Sequence, residues 1–182
     1  MLDCNELKNL TQAELVNRAE KVAESVIEKL KLFSLKLALA ESCTAGFISG
    51  LLANISGASN VLWGSFVCYM QEAKVKMLDL DNEALCENGL VSRETACSMA
   101  EGALQKSGAD LAASVTGLAS MESDGRVPGG TIWIALAIRG NKLKNEGTKA
   151  MEFHFTGERN AVRVKAAIAV LESIMDEICY EK

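Results

Sequence analysis

Apolar residues recur at three- and four-residue spacing through Leu15, Ala19, Val22, Ala23, Val26, Ile27 and Leu30. That spacing predicts an amphipathic helix over about 12–32. Further on, short apolar runs predict strands over 35–40, 61–69, 110–116, 130–138 and 149–155. Helical spacing predicts helices over 46–54, 72–78, 92–107 and 158–179, the last with Val164, Ile168, Leu171, Met175 and Ile178 on one face. Ser92 is placed to cap the helix over 92–107, with Glu94 in its first turn. The run Ile132 to Ile138 is apolar throughout rather than alternating, which predicts a strand buried on both faces. Strands interleaved with helices around such a strand indicate an α/β protein, a three-layer α/β/α sandwich on a sheet of about five strands. The stretch Gly117 to Gly130 has no periodicity and is rich in small and polar residues. A connection of that length is long for a compact domain and reads as a binding loop.

The chain of 182 residues suits one domain, 1–182, with a core over about 33–180 behind the first helix. Its 49% hydrophobic and 24% charged residues are those of an ordinary soluble globule, and no apolar run reaches the roughly 18 residues of a membrane span. Met1 to Lys8 lack the basic start and apolar core of a signal peptide, so a cytoplasmic protein is expected. A net charge of −5, with lysines and arginines interspersed among acids, argues against nucleic acid as partner. The six cysteines, Cys4, Cys43, Cys68, Cys86, Cys97 and Cys179, form no Cys-x-x-Cys pair and are expected as reduced thiols, mostly buried. The single histidine, His154, excludes a multi-histidine metal site, and no metal or cofactor is expected. In Met-Glu-Phe-His-Phe it shares a strand face with Glu152 and reads as a surface histidine.

Chemistry concentrates at Glu41-Ser42-Cys43-Thr44-Ala45-Gly46, where an apolar strand stops and a helix begins. Strand-to-helix turns in α/β proteins gather nucleophiles and anion-binding amides, although Ser and Thr there are equally the residues that cap a helix. Three further segments are expected at the same sheet edge: Ser56-Gly57-Ala58-Ser59, Tyr69 to Lys74, and Val115-Thr116-Gly117. With one histidine in the chain, a serine nucleophile is most naturally served by a lysine base. Such a lysine must be neutral near pH 7–8, which takes about 4 kcal/mol of environmental bias against its usual value.

The ordered motifs Glu41-Ser42-Cys43-Thr44-x-Gly46, Gly57-x-Ser59, Tyr69-x-x-x-Ala73-Lys74, Val115-Thr116-Gly117, Gly130-Thr131-Ile132-Trp133 and Phe155-x-Gly157-x-Arg159-x-x-Val162-Arg163 carry a resemblance. Over about residues 15 to 178 the chain resembles the C-terminal domain of the competence/damage-inducible CinA proteins, a family that includes stand-alone nicotinamide-nucleotide amidohydrolases. The resemblance implies the same sandwich with a mixed sheet, a homo-oligomer (dimer or trimer), and a small-molecule nucleotide substrate. The implied reaction is hydrolysis of the carboxamide of nicotinamide mononucleotide to nicotinic acid mononucleotide and ammonia, with Ser42 as nucleophile and Lys74 as its base. It further implies that Thr44, Gly46, Ser59, Tyr69, Thr116 and Gly117 hold the substrate or the developing oxyanion, and that Arg159 or Arg163 meets the phosphate.

Departures from the family pattern gather in the turns. Ala45 stands where a first glycine is usual, Met70-Gln71 where Ser-Asn is usual, Ser120-Met121 where Gly-Pro is frequent, and Gly129 where valine is usual. The hydroxyls and the lysine are all present, whereas the loop that shapes the substrate pocket has changed. A catalytically silent relative that binds a nucleotide or a protein partner is therefore the alternative reading; a role in DNA uptake fits the acidic charge poorly.

Overall fold

The computed structural model describes residues 6–140, 142–143 and 145–178. Five strands, β1 (Leu37–Glu41), β2 (Leu62–Val67), β3 (Leu111–Gly117), β4 (Thr131–Ile138) and β5 (Gly147–His154), form one sheet in the order β2-β1-β3-β4-β5. The first three run parallel; β4 and β5 are antiparallel to their neighbours, so the sheet is mixed. Helices α1 (Gln12–Leu32), α2 (Phe47–Ala53) and α6 (Arg159–Ile178) cover one face. The other face carries α5 (Arg93–Ser107), with α3 (Gln71–Leu78) and α4 (Asn82–Asn88) packed beside it.

The two faces differ in side-chain size. Toward α1 and α6 the central strands present Leu37, Leu39, Leu111, Ala113, Val115, Ile132, Ile134, Leu136 and Ile138. Burying a side chain such as Ile134 or Leu136 stabilises the fold by about 1.5–3 kcal/mol. Toward α5 the same strands present Ala38, Ala40, Ala112, Ser114, Ala135 and Ala137, against Ala96, Met99, Ala100 and Ala103 of the helix. Small residues on both sides let α5 lie close to the sheet, and the Ser114 hydroxyl is satisfied by donating to the Ala96 carbonyl at 2.6 Å.

Local signals fix the ends of elements. Thr11 and Glu14 form a capping box at α1, and Ser92 caps α5 by accepting from the Thr95 amide at 3.1 Å. His154 is exposed at the end of β5, 3.5 Å from the Glu152 carboxylate, as a surface histidine. The sequence pattern gives no sign of α4, because that helix is polar and buries only Leu85. Cys43 and Cys68 are buried and free, but Cys86 is exposed, since it sits on α4; Cys4 and Cys179 lie outside the described residues. Among the described residues no helix is long and apolar enough to cross a membrane.

The connection after β1 crosses to β2 on one side, while β3 lies on the other side of β1. The crevice between the C-terminal ends of β1 and β3 is thus a switch point, the usual place for a ligand in an open α/β sheet.

Candidate active site

The turn after β1 opens directly into that crevice. Its geometry is set by Glu41, whose fully buried carboxylate accepts from the amides of Ile48 (3.1 Å) and Ser49 (2.9 Å) and from the Ser65 hydroxyl (3.1 Å). A carboxylate on the last residue of the strand therefore satisfies the amides at the start of α2, which are otherwise orphaned. The N-cap position itself is Gly46, at φ +85°, and no side chain caps there. Neither Ser42 nor Thr44 is a helix cap, and the Ser42 hydroxyl is free for other work. Ala45 is also left-handed, at φ +52°, a conformation that an L-residue adopts at a cost of about 1 kcal/mol.

Ser42 is held at the floor of the crevice by its amide, which donates to the Val115 carbonyl of β3 at 3.0 Å. Its Oγ lies 3.0 Å from Lys74 Nζ. Lys74 occupies the first turn of α3, and its side chain folds back toward the helix N-terminus. There Nζ also meets the carbonyls of Cys68 (2.9 Å) and Tyr69 (3.2 Å), and the residue is 1% exposed. Burial pushes the lysine below its usual pKa, and the positive end of α3 acts in the same direction. The neighbouring thiols supply no counter-charge: burial lifts Cys43 to about 12 and Cys68 to about 11, so both stay protonated. Nζ thus has three oxygen neighbours, the two carbonyls and Ser42 Oγ, and no carboxylate among them.

A cavity of about 220 Å³ opens over this pair. Thr116 and Gly117 at the end of β3 form one wall, and Tyr69 and Arg159 stand at the mouth. The Arg159 guanidinium donates to the Tyr69 hydroxyl at 2.7 Å, and both residues are exposed. The Thr116 hydroxyl donates to the Leu90 carbonyl at 2.7 Å, so its remaining capacity toward the cavity is that of an acceptor. Gly117 is required by close approach: a Cβ there would meet the Thr131 carbonyl oxygen at 2.7 Å. A second cavity of about 440 Å³ adjoins the first and shares Leu90, Val91 and Asp124 with it.

Other expected site residues lie elsewhere. Ser59 does not join the cluster; it is exposed in the 3-10 turn Ala58–Asn60 that precedes β2. Because β2 runs parallel to β1, the residues before it sit beside Leu37, at the opposite end of the sheet from Ser42. Thr44 is fully buried, and its hydroxyl makes no hydrogen bond. Arg163 turns inward, donating to the carbonyls of Cys43 (3.1 Å) and Thr44 (2.8 Å), while Arg159 faces the cavity.

Loop 117–130 closes on itself. A Cβ on Gly129 would lie 2.2 Å from the Met121 carbonyl carbon, so this loop conformation admits only glycine at 129, where the family pattern has valine. The loop carries Asp124, a cavity-lining carboxylate that the sequence pattern does not mark. Glu41 was equally unmarked as a cap, although an acid ending an otherwise apolar buried strand is a readable signal. Among the described residues no three His, Cys, Asp or Glu side chains converge to hold a metal ion.

Comparison with known proteins agrees with the fold. The family model for the CinA C-terminal domain matches residues 19–178. A putative competence-damage inducible protein of Caldicellulosiruptor bescii is 38% identical over 156 residues, covering 85% of this chain and 36% of that protein. The chain thus spans about a third of the length of the curated relatives it matches. Among solved structures, the competence/damage inducible protein CihA from Agrobacterium tumefaciens superposes with a TM-score of 0.81 at 33% identity, over 87% of this chain and 94% of that one. A CinA superfamily protein from Klebsiella pneumoniae gives 0.82 at 26% identity, over 90% and 99%.

Proposed function

Since the chain belongs to the CinA C-terminal domain family, we propose that its site is a metal-independent amidohydrolase acting on the carboxamide of nicotinamide mononucleotide. The observation that carries the reading is the buried Lys74 Nζ, 3.0 Å from Ser42 Oγ and without an acidic partner. A lysine in that setting is a general base rather than a structural cation.

In the proposed reaction Ser42 Oγ attacks the carboxamide carbon while its proton passes to Lys74 Nζ. The carbonyl π electrons move onto oxygen. Collapse of the tetrahedral adduct breaks the C–N bond, and Lys74 returns the proton to the departing nitrogen, which leaves as ammonia. Water then attacks the acyl ester with Lys74 again taking the proton. Collapse of the second adduct releases the acid, and the proton returns to Ser42. Arg159 at the mouth suits the nucleotide phosphate, and the Tyr69 ring beside it suits the pyridinium. Thr116, with its proton committed to Leu90, accepts from the substrate NH2 group and disfavours the product carboxylate, which has no proton to give.

The test is ammonia release from nicotinamide mononucleotide in the presence of a chelator. The wild type is expected to release ammonia, and Lys74→Arg, which keeps charge but cannot lose a proton, is expected to be inactive between about pH 6 and pH 10. Substantial turnover by Lys74→Arg would remove the base. Nucleotide binding by the wild type without ammonia release would instead favour a silent binding protein.

A further inference from the structure

The bond pattern around Arg163 points to a role that is neither phosphate binding nor simple packing. Its guanidinium, half-buried on α6, reaches across to the turn that carries the nucleophile and grips two successive carbonyls, those of Cys43 and Thr44. Across a trans peptide the carbonyl and the next amide point in opposite directions. Fixing the Cys43 carbonyl toward Arg163 therefore aims the Thr44 N–H away from it. The Thr44 carbonyl is fixed likewise, and the following amide, Ala45, donates to the Ser42 carbonyl at 3.0 Å. Among the described residues, the Thr44 amide makes no hydrogen bond, whereas the Cys43 amide meets its own thiol. The Thr44 amide belongs to the turn just after the nucleophile, the place from which hydrolases commonly stabilise an oxyanion. The turn also contains the left-handed Ala45, which relaxes unless something holds it.

We infer that Arg163 is a positioning residue: by clamping the Cys43 and Thr44 carbonyls it holds the turn after Ser42 and polarises the Thr44 amide as a donor to the oxyanion formed when Ser42 attacks. The inference rests on the serine-nucleophile reading above, but not on the identity of the substrate. A cation on the carbonyl oxygen of a peptide draws electrons from its N–H, which makes that N–H the stronger donor. The benefit appears only once negative charge develops on the substrate oxygen, so it belongs to kcat rather than to KM.

A fluorophosphonate separates this role from its alternatives. Ser42 Oγ bonds to phosphorus, fluoride departs with the P–F electron pair, and Lys74 Nζ takes the proton; the phosphoryl oxygen then sits where the oxyanion would. Labelling is followed by intact mass, alongside kcat and KM for nicotinamide mononucleotide. For Arg163→Met, labelling and kcat are expected to fall about 10²–10³-fold, as for loss of an oxyanion donor, with KM within about threefold. Arg159→Met is expected to give the opposite split, a raised KM. If Arg163→Met folds poorly, Arg163→Ala with millimolar methylguanidinium added back is expected to regain labelling. Equal labelling rates in wild type and Arg163→Met would overturn the clamp. So would a loss in Arg163→Ala that tracks only the unfolded fraction and is not rescued. Labelling that depends on Arg163 in a protein that releases no ammonia would leave the clamp standing and remove the substrate.

Discussion

Replacing Lys74 with methionine tests the site without any substrate. The change keeps an unbranched chain and deletes the amine. In the unfolded chain the lysine titrates near 10.5, and burial lowers that value in the folded protein. Between the lowered value and 10.5 the unfolded state holds the extra proton, so wild-type stability rises with pH, by up to about 1.4 kcal/mol per unit. Below the folded value the penalty for Lys74 is complete; above 10.5 it is gone. Lys74→Met lacks this dependence. It also leaves the Cys68 and Tyr69 carbonyls and Ser42 Oγ without their partner, a loss of about 1–3 kcal/mol that does not vary with pH. The diagnostic is therefore the difference between the two stability curves. Urea unfolding from pH 7 to pH 10.5 is expected to show the variant losing ground steadily to wild type as pH rises. Titrating groups that do not interact with Lys74 cancel in that difference; the neighbouring Cys43 and Cys68 thiols, lifted by burial to about 12 and about 11, stay protonated in the folded protein over this range. Curves that stay parallel within about 0.5 kcal/mol would show an ordinary lysine, and the general-base assignment would fail with it.

Two further outcomes address the turn. Glu41→Gln puts an NH2 group against an amide donor and removes the charge from three bonds, so a loss of about 2–3 kcal/mol, or about 5–10 °C in Tm, is expected. Ser42→Ala, which removes no cap but one hydrogen bond to Lys74, is expected to abolish turnover at a stability cost of about 1 kcal/mol; a cost equal to that of Glu41→Gln would restore the hydroxyl as the helix cap. Ala45→Gly relieves a left-handed alanine at φ +52° and is expected to add about 0.5–1 kcal/mol, read as a higher urea midpoint at unchanged slope. No gain there would mean that the turn is unstrained.

The layers of the fold were legible because burial leaves a mark on spacing. The apolar run from Ile132 to Ile138 identified a strand covered on both sides, and Leu15 to Leu30 identified the first helix. Polar α4 left no such mark. Ser42 and Lys74 stood out in the sequence, but their 3.0 Å contact depends on where α3 starts, and Lys74 alone reads as a solvated lysine at a helix start. The spacing of Ser59 carries no strand direction: with β2 parallel to β1, the turn before β2 lies at the far end of the sheet from Ser42. Ser42 and Thr44 are the nearest hydroxyls to the helix start, whereas the acceptor is a carboxylate seven residues before Ile48 in the chain. The two arginines could not be ranked by motif, since one faces the cavity and the other faces the backbone of the turn.

The unequal faces of the sheet set different rules for drift. On the α1 and α6 side, Leu, Ile, Val and Met can exchange at nearly constant volume, so that side can diverge widely while keeping its shape. Opposite α5, Ala112, Ala135 and Ala137 have only glycine and serine as size-matched substitutes, and a larger residue would have to lift the helix off the sheet. Lifting α5 would also draw away the Leu90 carbonyl just before it, and with it the proton of Thr116. The alanines therefore act as a gauge of thickness. The rest of the core can be rewritten around them while the distance from helix to sheet stays fixed.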